Sequence, residues 1–259
     1  MSPTGSPDRW FFRPRPQPQA RLRLFCLPYA GGGASIYRTW PNGLPPTIEV
    51  WGIQLPGREL RFHEPRLTCL DDLIPPLGDA LGPHLTLPYA IFGHSMGALI
   101  GFALSDHLRQ RGVAQPLHLF ASARRAPHIP RLGPATYNLP EPAFLAELRR
   151  LNGTPEAVLA HDELRALMLP ILRADFEINE TYVHRSTLPL DCPISAFGGL
   201  ADRTVTQADL AAWREHTRGS FHLRMLAGDH FFLQSAQADL LQAISQDLAP
   251  YLTSIPGER

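Results

Sequence analysis

Short apolar runs alternate with longer amphipathic segments along most of this chain. Runs of strand length lie at residues 21–27, 48–53, 89–92, 117–121, 194–197 and 221–226. Helical periodicity occupies intervals between them, as at residues 71–81 and 96–111, the second ending at Gly112. Strands that alternate with helices predict a mostly parallel sheet with helices on its faces, which is an α/β fold.

Two parts of the chain depart from this alternation. Residues 1–20 are rich in proline and glutamine, which predicts an extended N-terminal arm outside the core, with residues 10–12 able to dock on the body. From about residue 140 to 188, helical patterns at 142–151, 155–160 and 163–182 follow one another without a strand. These patterns predict an inserted helical lid within a single domain over residues 21–259.

Composition narrows the class of protein. The formal net charge is zero and all 24 basic residues are arginine, so nucleic acid is not an expected partner. Cys26, Cys69 and Cys192 are far apart and form no C-x-x-C pair, which argues against a disulfide framework or a zinc site. Neither an apolar signal core nor a stretch of ~18 apolar residues is present. We expect a cytoplasmic monomer that needs no cofactor or metal and does not bind membranes.

A Gly-His-Ser-Met-Gly sequence at residues 93–97 joins a predicted strand directly to a predicted helix. In this context the pattern is typical of a nucleophile elbow, where small residues around the serine permit a very sharp turn. Ser95 would stand at the carboxyl end of the strand and at a helix N-terminus, where backbone N–H groups can stabilise an oxyanion. Ser95 is therefore the candidate nucleophile, the alternative being a serine that only caps a helix.

A serine nucleophile needs a base, and the base needs an acid that orients it. Enzymes of the α/β-hydrolase fold supply these residues in the order Ser, Asp, His. Among eleven histidines, His230 is placed best, because it follows the last predicted strand and precedes the final helix. Asp202, in the loop after the preceding strand, is the first choice for the acid. Asp175 is the alternative, whereas Asp229 is too close to His230 in sequence to reach its ring.

Two backbone groups and a set of side chains are candidates for contacting a substrate. The N–H of Met96 and that of Ala30, in the loop after the first core strand, are expected to form the oxyanion hole. The glycines at 31–33 would let that loop approach the substrate closely. Six apolar residues of the predicted lid either line a pocket or only seat the helices on the core: Phe144, Leu148, Leu167, Met168, Leu172 and Phe176.

Five segments together carry a family resemblance. They are Leu-Pro-Tyr-Ala-Gly-Gly at 27–32, Gln-Leu-Pro-Gly-Arg-Glu at 54–59 with Arg61, the elbow, Leu-Arg-Ala-Asp at 172–175 and Gly-Asp-His-Phe-Phe at 228–232. In combination they resemble the type II thioesterases that accompany polyketide synthases and nonribosomal peptide synthetases. The resemblance extends from about residue 22 to residue 248. The elbow alone would also fit a lipase, and the Pro-Gly-Arg-Glu sequence makes the match more specific.

The resemblance implies a stand-alone editing enzyme with an α/β-hydrolase fold. Such an enzyme hydrolyses stalled or incorrect acyl groups from the phosphopantetheine arm of an acyl or peptidyl carrier protein. Ser95 would attack the thioester carbonyl, His230 would take the hydroxyl proton and Asp202 would hold the imidazole. The motif around Arg58 is implied to be structural or to border the entrance, with no catalytic role.

Three arginines are candidates for docking the carrier protein. Carrier proteins are generally acidic where they dock, and Arg124, Arg125 and Arg131 directly precede the predicted lid. The alternative is that they are solvated loop arginines. Two other functions also remain open at this point: a carboxylesterase or lipase that acts on small oxygen esters, and a binding protein of the same fold without activity.

Overall fold

A mostly parallel sheet forms the centre of the molecule. The computed structural model describes residues 7–131, 133–186 and 188–253. The strands are β1 (Phe11–Phe12), β2 (Leu22–Leu27), β3 (Ile48–Ile53), β4 (Tyr89–His94), β5 (Leu119–Ser122), β6 (Ile194–Gly199) and β7 (Phe221–Leu226). Their order in the sheet is β1-β3-β2-β4-β5-β6-β7. Every neighbouring pair is parallel except β1 with β3.

Helices occupy the intervals between the strands. They are α1 (Leu70–Leu81), α2 (Met96–Gln110), α3 (Glu141–Leu151), α4 (Glu156–Leu159), α5 (Asp162–Thr181), α6 (Gln207–Ala211), α7 (Phe232–Ser235) and α8 (Gln237–Thr253). Short 3₁₀ turns lie at Pro7–Trp10, Ala34–Tyr37, Trp40–Asn42, Glu59–Arg61, Gly82–His84 and Ala212–His216. The α/β fold predicted from the alternating pattern is therefore confirmed.

The core lies on both faces of the sheet. All positions of β3, β4, β5 and β6 are buried, which explains why these strands are nearly continuous apolar runs. Successive residues of β2 point to opposite faces. Phe25 and Leu27 pack with residues of α1 and α2, whereas Leu24 and Cys26 pack with residues of α8.

The predicted N-terminal arm is partly built into this core. Trp10 is only 7% exposed, and its carbonyl accepts a hydrogen bond from Gln54 N–H at 2.8 Å. Phe11 and Phe12 pair with Ile53 and Gly52 as the antiparallel edge strand β1. Residues 10–12 of the arm therefore dock on the body, because three adjacent aromatic side chains gain more by burial than by exposure.

The three helical patterns between β5 and β6 correspond to α3, α4 and α5. These helices form a small apolar cluster of their own, which includes Phe144, Leu148, Leu159, Leu169 and Leu172. No helix within the described ranges is long and apolar enough to cross a membrane. The part of the chain that the structure describes contains no group of three or more His, Cys, Asp or Glu side chains placed to bind a metal ion.

Candidate active site

Ser95 occupies a strained turn between β4 and α2. Its φ is +54° and its ψ is −111°, a conformation that is costly for a residue with a side chain. The Ser95 N–H donates to the Ser122 carbonyl on β5 at 2.7 Å, which holds the turn in place. A Cβ at Gly93 would lie 2.1 Å from the Gly97 carbonyl oxygen, and one at Gly97 would lie 2.1 Å from the Leu27 carbonyl oxygen. The two glycines are therefore required by close backbone contacts.

Three residues predicted from the sequence meet at this turn. The distance from Ser95 Oγ to His230 Nε2 is 3.0 Å, and His230 Nδ1 lies 2.7 Å from Asp202 Oδ2. The Asp202 side chain is fully buried and that of His230 is 18% exposed. This is the arrangement in which an imidazole can accept a proton from a serine hydroxyl while a carboxylate orients the ring.

The surroundings of Asp202 keep it ionised. Its Oδ1 accepts hydrogen bonds from the Thr204 N–H and hydroxyl, both at 2.7 Å, and from the Val205 N–H at 3.2 Å. Burial alone would raise the pKa of Asp202, but the hydrogen bonds from His230 and Thr204 outweigh burial and lower it. One oxygen is thus held by the loop, and the other is left for His230.

His94, next to the serine in the elbow, contacts Ser122 and the His230 main chain rather than the Ser95 hydroxyl. Its Nδ1 lies 2.9 Å from Ser122 Oγ and its Nε2 lies 2.8 Å from the His230 carbonyl oxygen. Burial, with the nearby His230, lowers the pKa of His94 to about 3, so the ring is neutral at physiological pH. Because it contacts the His230 main chain, His94 helps to fix the position of that residue.

The two predicted oxyanion donors lie in the chain segments next to Ser95 and its cavity. Ala30 and Ser95 line one cavity, and Met96 directly follows the serine. Among the described residues, neither the Ala30 N–H nor the Met96 N–H donates a hydrogen bond. The N–H of Gly31 differs, because it donates to Asp175 Oδ2 at 2.7 Å. Two backbone donors therefore remain available near Ser95.

Asp175, the alternative acid, does not contact His230. It is fully buried on α5, and both of its carboxylate oxygens bind the Arg58 guanidinium at 2.6 Å. The hydrogen bond to His230 comes from Asp202 instead. The geometry thus distinguishes two carboxylates that the sequence left as alternatives.

A cavity of about 720 Å³ extends from Ser95 toward the inserted helices. Three of the predicted pocket residues line it, namely Leu148, Leu172 and Phe176. Phe144, Leu167 and Met168 are not part of its lining. Phe144 and Met168 pack within the apolar cluster of α3–α5, and Leu167 is 49% exposed. The helices therefore contribute one apolar wall.

The three candidate docking arginines have different environments. Arg124 lies in the cavity wall, where it donates to Asn179 Oδ1 at 2.7 Å, and burial lowers its pKa to about 10. Arg125 donates to main-chain carbonyls, while Arg131 pairs with Glu180 at 3.0 Å. All three arginines line the cavity, and each has a hydrogen-bonding partner within the chain.

Some contacts that build the site were not predicted from the sequence. Thr204 supports Asp202, and its position two residues later is the spacing at which an aspartate commonly caps its own loop. The Arg58–Asp175 pair joins residues 117 positions apart. Nothing local to either residue indicates that contact.

Comparisons with known proteins agree with this geometry. Residues 22–248 match the family model of the thioesterase domain. The chain is 44% identical to the gramicidin S biosynthesis protein GrsT of Aneurinibacillus migulanus, over 93% of this chain and 94% of GrsT. It is 40% identical to thioesterase PikA5 of Streptomyces venezuelae, over 92% of this chain and 85% of PikA5.

The fold is also that of solved enzymes. The type II thioesterase BorB from the borrelidin biosynthetic cluster superposes with a TM-score of 0.85 at 39% identity, covering 93% of this chain and 98% of BorB. Its relatives thus share both sequence and fold with this chain over nearly their whole lengths. The chain belongs to the thioesterase family, as a hydrolase of the α/β-hydrolase fold related to the type II thioesterases of polyketide and nonribosomal peptide pathways.

Proposed function

We propose that this thioesterase hydrolyses acyl groups from the phosphopantetheine arm of carrier proteins, removing stalled or incorrect intermediates. The observation that carries the proposal is the hydrogen-bonded series Ser95, His230 and Asp202, beside a cavity of about 720 Å³ with apolar residues in its wall. The similarity to type II thioesterases supports the choice of a carrier-bound thioester as substrate.

The first half of the reaction forms an acyl-enzyme. Ser95 Oγ attacks the thioester carbonyl carbon while His230 Nε2 takes the hydroxyl proton, and Asp202 stabilises the resulting imidazolium. The negative charge that develops on the carbonyl oxygen is stabilised by the Met96 and Ala30 N–H groups. The C–S bond then breaks, His230 returns the proton to the sulfur, and the arm leaves as a thiol.

The second half releases the acid. A water molecule attacks the acyl-Ser95 ester, and His230 takes one of its protons. The tetrahedral intermediate again places its oxyanion at the two N–H groups. When the ester bond breaks, the proton passes to Ser95 Oγ and the free carboxylic acid departs, so that each cycle consumes one water molecule.

The proposal is tested with a carrier protein that bears a short acyl group on its phosphopantetheine arm. We expect Ser95→Ala to lower the rate of acyl release by at least ~10⁴-fold, since the nucleophile is lost. Ser245→Ala is the matched control, because Ser245 only donates to a carbonyl within α8. Acyl release that is unchanged in Ser95→Ala would disprove the assignment of Ser95, and release by wild type no faster than without the protein would favour a binding protein.

The class of substrate needs a separate comparison. Acyl-N-acetylcysteamine thioesters and oxygen esters of the same acyl group present one carbonyl with different leaving groups. We expect hydrolysis of the thioester, and a higher kcat/KM when the same acyl group is on the carrier protein. Hydrolysis of the oxygen esters alone would show that the protein is a carboxylesterase.

A further inference from the structure

A buried ion pair lies close to the active site but outside the hydrogen-bonded series of Ser95. Arg58 follows β3, and Asp175 lies on α5. Two guanidinium nitrogens donate to the two carboxylate oxygens at 2.6 Å each, and the side chains are 6% and 0% exposed. Desolvation offsets much of the attraction in a buried pair, so such a pair is weak evidence for a purely stabilising role. The other contacts of these two side chains are therefore informative.

Both partners of the pair also bind the loop that follows β2. Asp175 Oδ2 accepts the Gly31 N–H at 2.7 Å, and Arg58 Nη1 donates to the Gly32 carbonyl at 3.1 Å. Hydrogen bonds to charged groups are about twice as strong as those between neutral groups. Ala30, whose N–H is the expected oxyanion donor, directly precedes these two residues.

The motif that carries Arg58 supports the same loop further along. Gln54 Oε1 accepts the Ala34 N–H at 3.3 Å. Glu59 accepts hydrogen bonds from both the N–H and the hydroxyl of Ser35. Side chains of the Gln-Leu-Pro-Gly-Arg-Glu sequence thus contact the loop at several positions. These contacts give a structural reason for the motif, which has no part in the hydrogen-bonded series of Ser95.

These contacts leave the loop little freedom. Gly31 has a φ of +80°, in the left-handed region, and a Cβ there would lie 2.6 Å from the Leu172 side chain. Its N–H is occupied by Asp175 and cannot serve an oxyanion. The Ala30 N–H belongs to the preceding peptide unit, which is joined at the Ala30 Cα to the unit that Asp175 holds, so only φ and ψ of Ala30 separate the two.

We propose that Arg58 and Asp175 are positioning residues that hold this loop so that the Ala30 N–H stabilises the oxyanion on the acyl carbonyl. The proposal rests on the acyl-serine function proposed above. Loss of one preorganised oxyanion donor typically costs about 10²–10³ in rate. Because Asp175 belongs to α5, the seating of the inserted helices and the orientation of this donor are coupled.

The test compares Arg58→Lys, Arg58→Met and Asp175→Asn with wild type, using an acyl-N-acetylcysteamine thioester. We expect kcat to fall by about 10- to 10³-fold in Arg58→Met and Asp175→Asn, with KM within about threefold. Arg58→Lys keeps the charge but not the two parallel hydrogen bonds, so its kcat should be intermediate.

Asp247→Asn is the matched control. Asp247 accepts two hydrogen bonds from Arg224, at 2.6 and 2.7 Å, in a second bidentate pair between α8 and β7, with side chains that are 5% and 29% exposed. The substitution should lower the denaturation midpoint as the Asp175→Asn substitution does, but leave kcat unchanged. Stability and catalysis are thereby measured separately.

Two further measurements distinguish a loss of loop positioning from a general loss of active-site structure. A trifluoromethyl alkyl ketone forms a tetrahedral adduct with the serine and places an oxyanion in the same hole. Its affinity should fall by the same factor as kcat/KM, whereas the affinity for the product acid should hardly change. The acidic limb of the pH profile of kcat/KM should stay where it is in wild type, since His230 and Asp202 are not altered.

The outcomes are distinguishable. If wild type releases acyl groups in a Ser95-dependent way but the folded Asp175→Asn and Arg58→Lys variants keep kcat and ketone affinity within twofold, the positioning role is wrong. These two conservative substitutions decide the matter if Arg58→Met does not fold. A wild type without hydrolase activity would instead overturn the proposed function, and the positioning role with it.

Discussion

His230 lies between the carboxylate of Asp202 and the hydroxyl of Ser95. The Asp202 oxygen that does not contact the ring is occupied by the Thr204 and Val205 main chain. The hydrogen bond to Asp202 therefore places the proton on Nδ1 and leaves Nε2 free to accept from Ser95. The distances of 2.7 Å from His230 Nδ1 to Asp202 and 3.0 Å from His230 Nε2 to Ser95 are those expected for a base that takes the serine proton.

Replacement of Asp202 tests this arrangement. An asparagine keeps the shape but not the charge, and it favours the wrong tautomer of His230. We expect Asp202→Asn to lower kcat by about 10⁴-fold with little change in KM. Asp229→Asn is the control, because Asp229 lies next to His230 in sequence but only accepts the Phe231 N–H. Equal losses in both variants, measured by steady-state kinetics, would rule out Asp202 as the orienting acid.

Residues differ in how far the sequence could predict their place in the site. Ser95, His230 and Asp202 all lie at carboxyl ends of strands, and parallel strands bring those ends to one edge of the sheet. That these three residues lie near one another therefore follows from the alternating pattern alone. The partner of Asp175 does not, because a contact across 117 residues depends on how α5 packs. The hydrogen bond between Arg124 and Asn179 depends on the packing of α5 in the same way.

The element that matters most is the turn between β4 and α2. Here one short sequence specifies the strand end, the turn and the helix start, because the two glycines that permit the turn lie two positions before and two positions after Ser95. The close approach of Gly97 to the β2 carbonyls also links the elbow to the loop that carries Ala30. The proposed nucleophile and the proposed oxyanion donor are thereby joined by one set of backbone contacts.

An alanine at position 97 should break this link. Its Cβ would lie 2.1 Å from the Leu27 carbonyl oxygen, and the main chain on both sides would have to shift. We expect Gly97→Ala to lower the free energy of unfolding by about 1–3 kcal/mol and to reduce kcat more than 10²-fold, a rough estimate for a misplaced serine. Urea denaturation and steady-state kinetics measure the two effects.

Gly82→Ala is the control for that change. A Cβ at Gly82 meets nothing within 4 Å and its φ of −45° suits any residue. Its free energy of unfolding should stay within about 0.5 kcal/mol of wild type. If Gly97→Ala were as active and as stable as Gly82→Ala, the close contact at the elbow would not constrain the serine.

At the scale of the whole molecule, buried neutral histidines couple stability to pH. Burial lowers the pKa of His94 to about 3 and those of His118 and His216 to about 4. In the unfolded chain these groups titrate near ~6.5. As the pH falls below that value, the unfolded state binds protons that the folded state does not, so the free energy of unfolding decreases.

We expect this loss to begin near pH 6.5 and to steepen toward pH 4, with a slope of about 1.4 kcal/mol per pH unit for each histidine. His118, which is 2% exposed and stacks on Phe120, provides the sharpest test. His118→Gln removes one titrating group. The slope of its free energy of unfolding against pH, between pH 6 and 4.5, should therefore be smaller by about 1.4 kcal/mol per pH unit, whatever the stability of the variant at pH 7. His63→Gln, at an exposed position, should leave the slope unchanged. Urea titrations across this range measure both slopes, and a His118→Gln slope equal to that of wild type would show that the folded protein binds a proton at His118 as readily as the unfolded chain does.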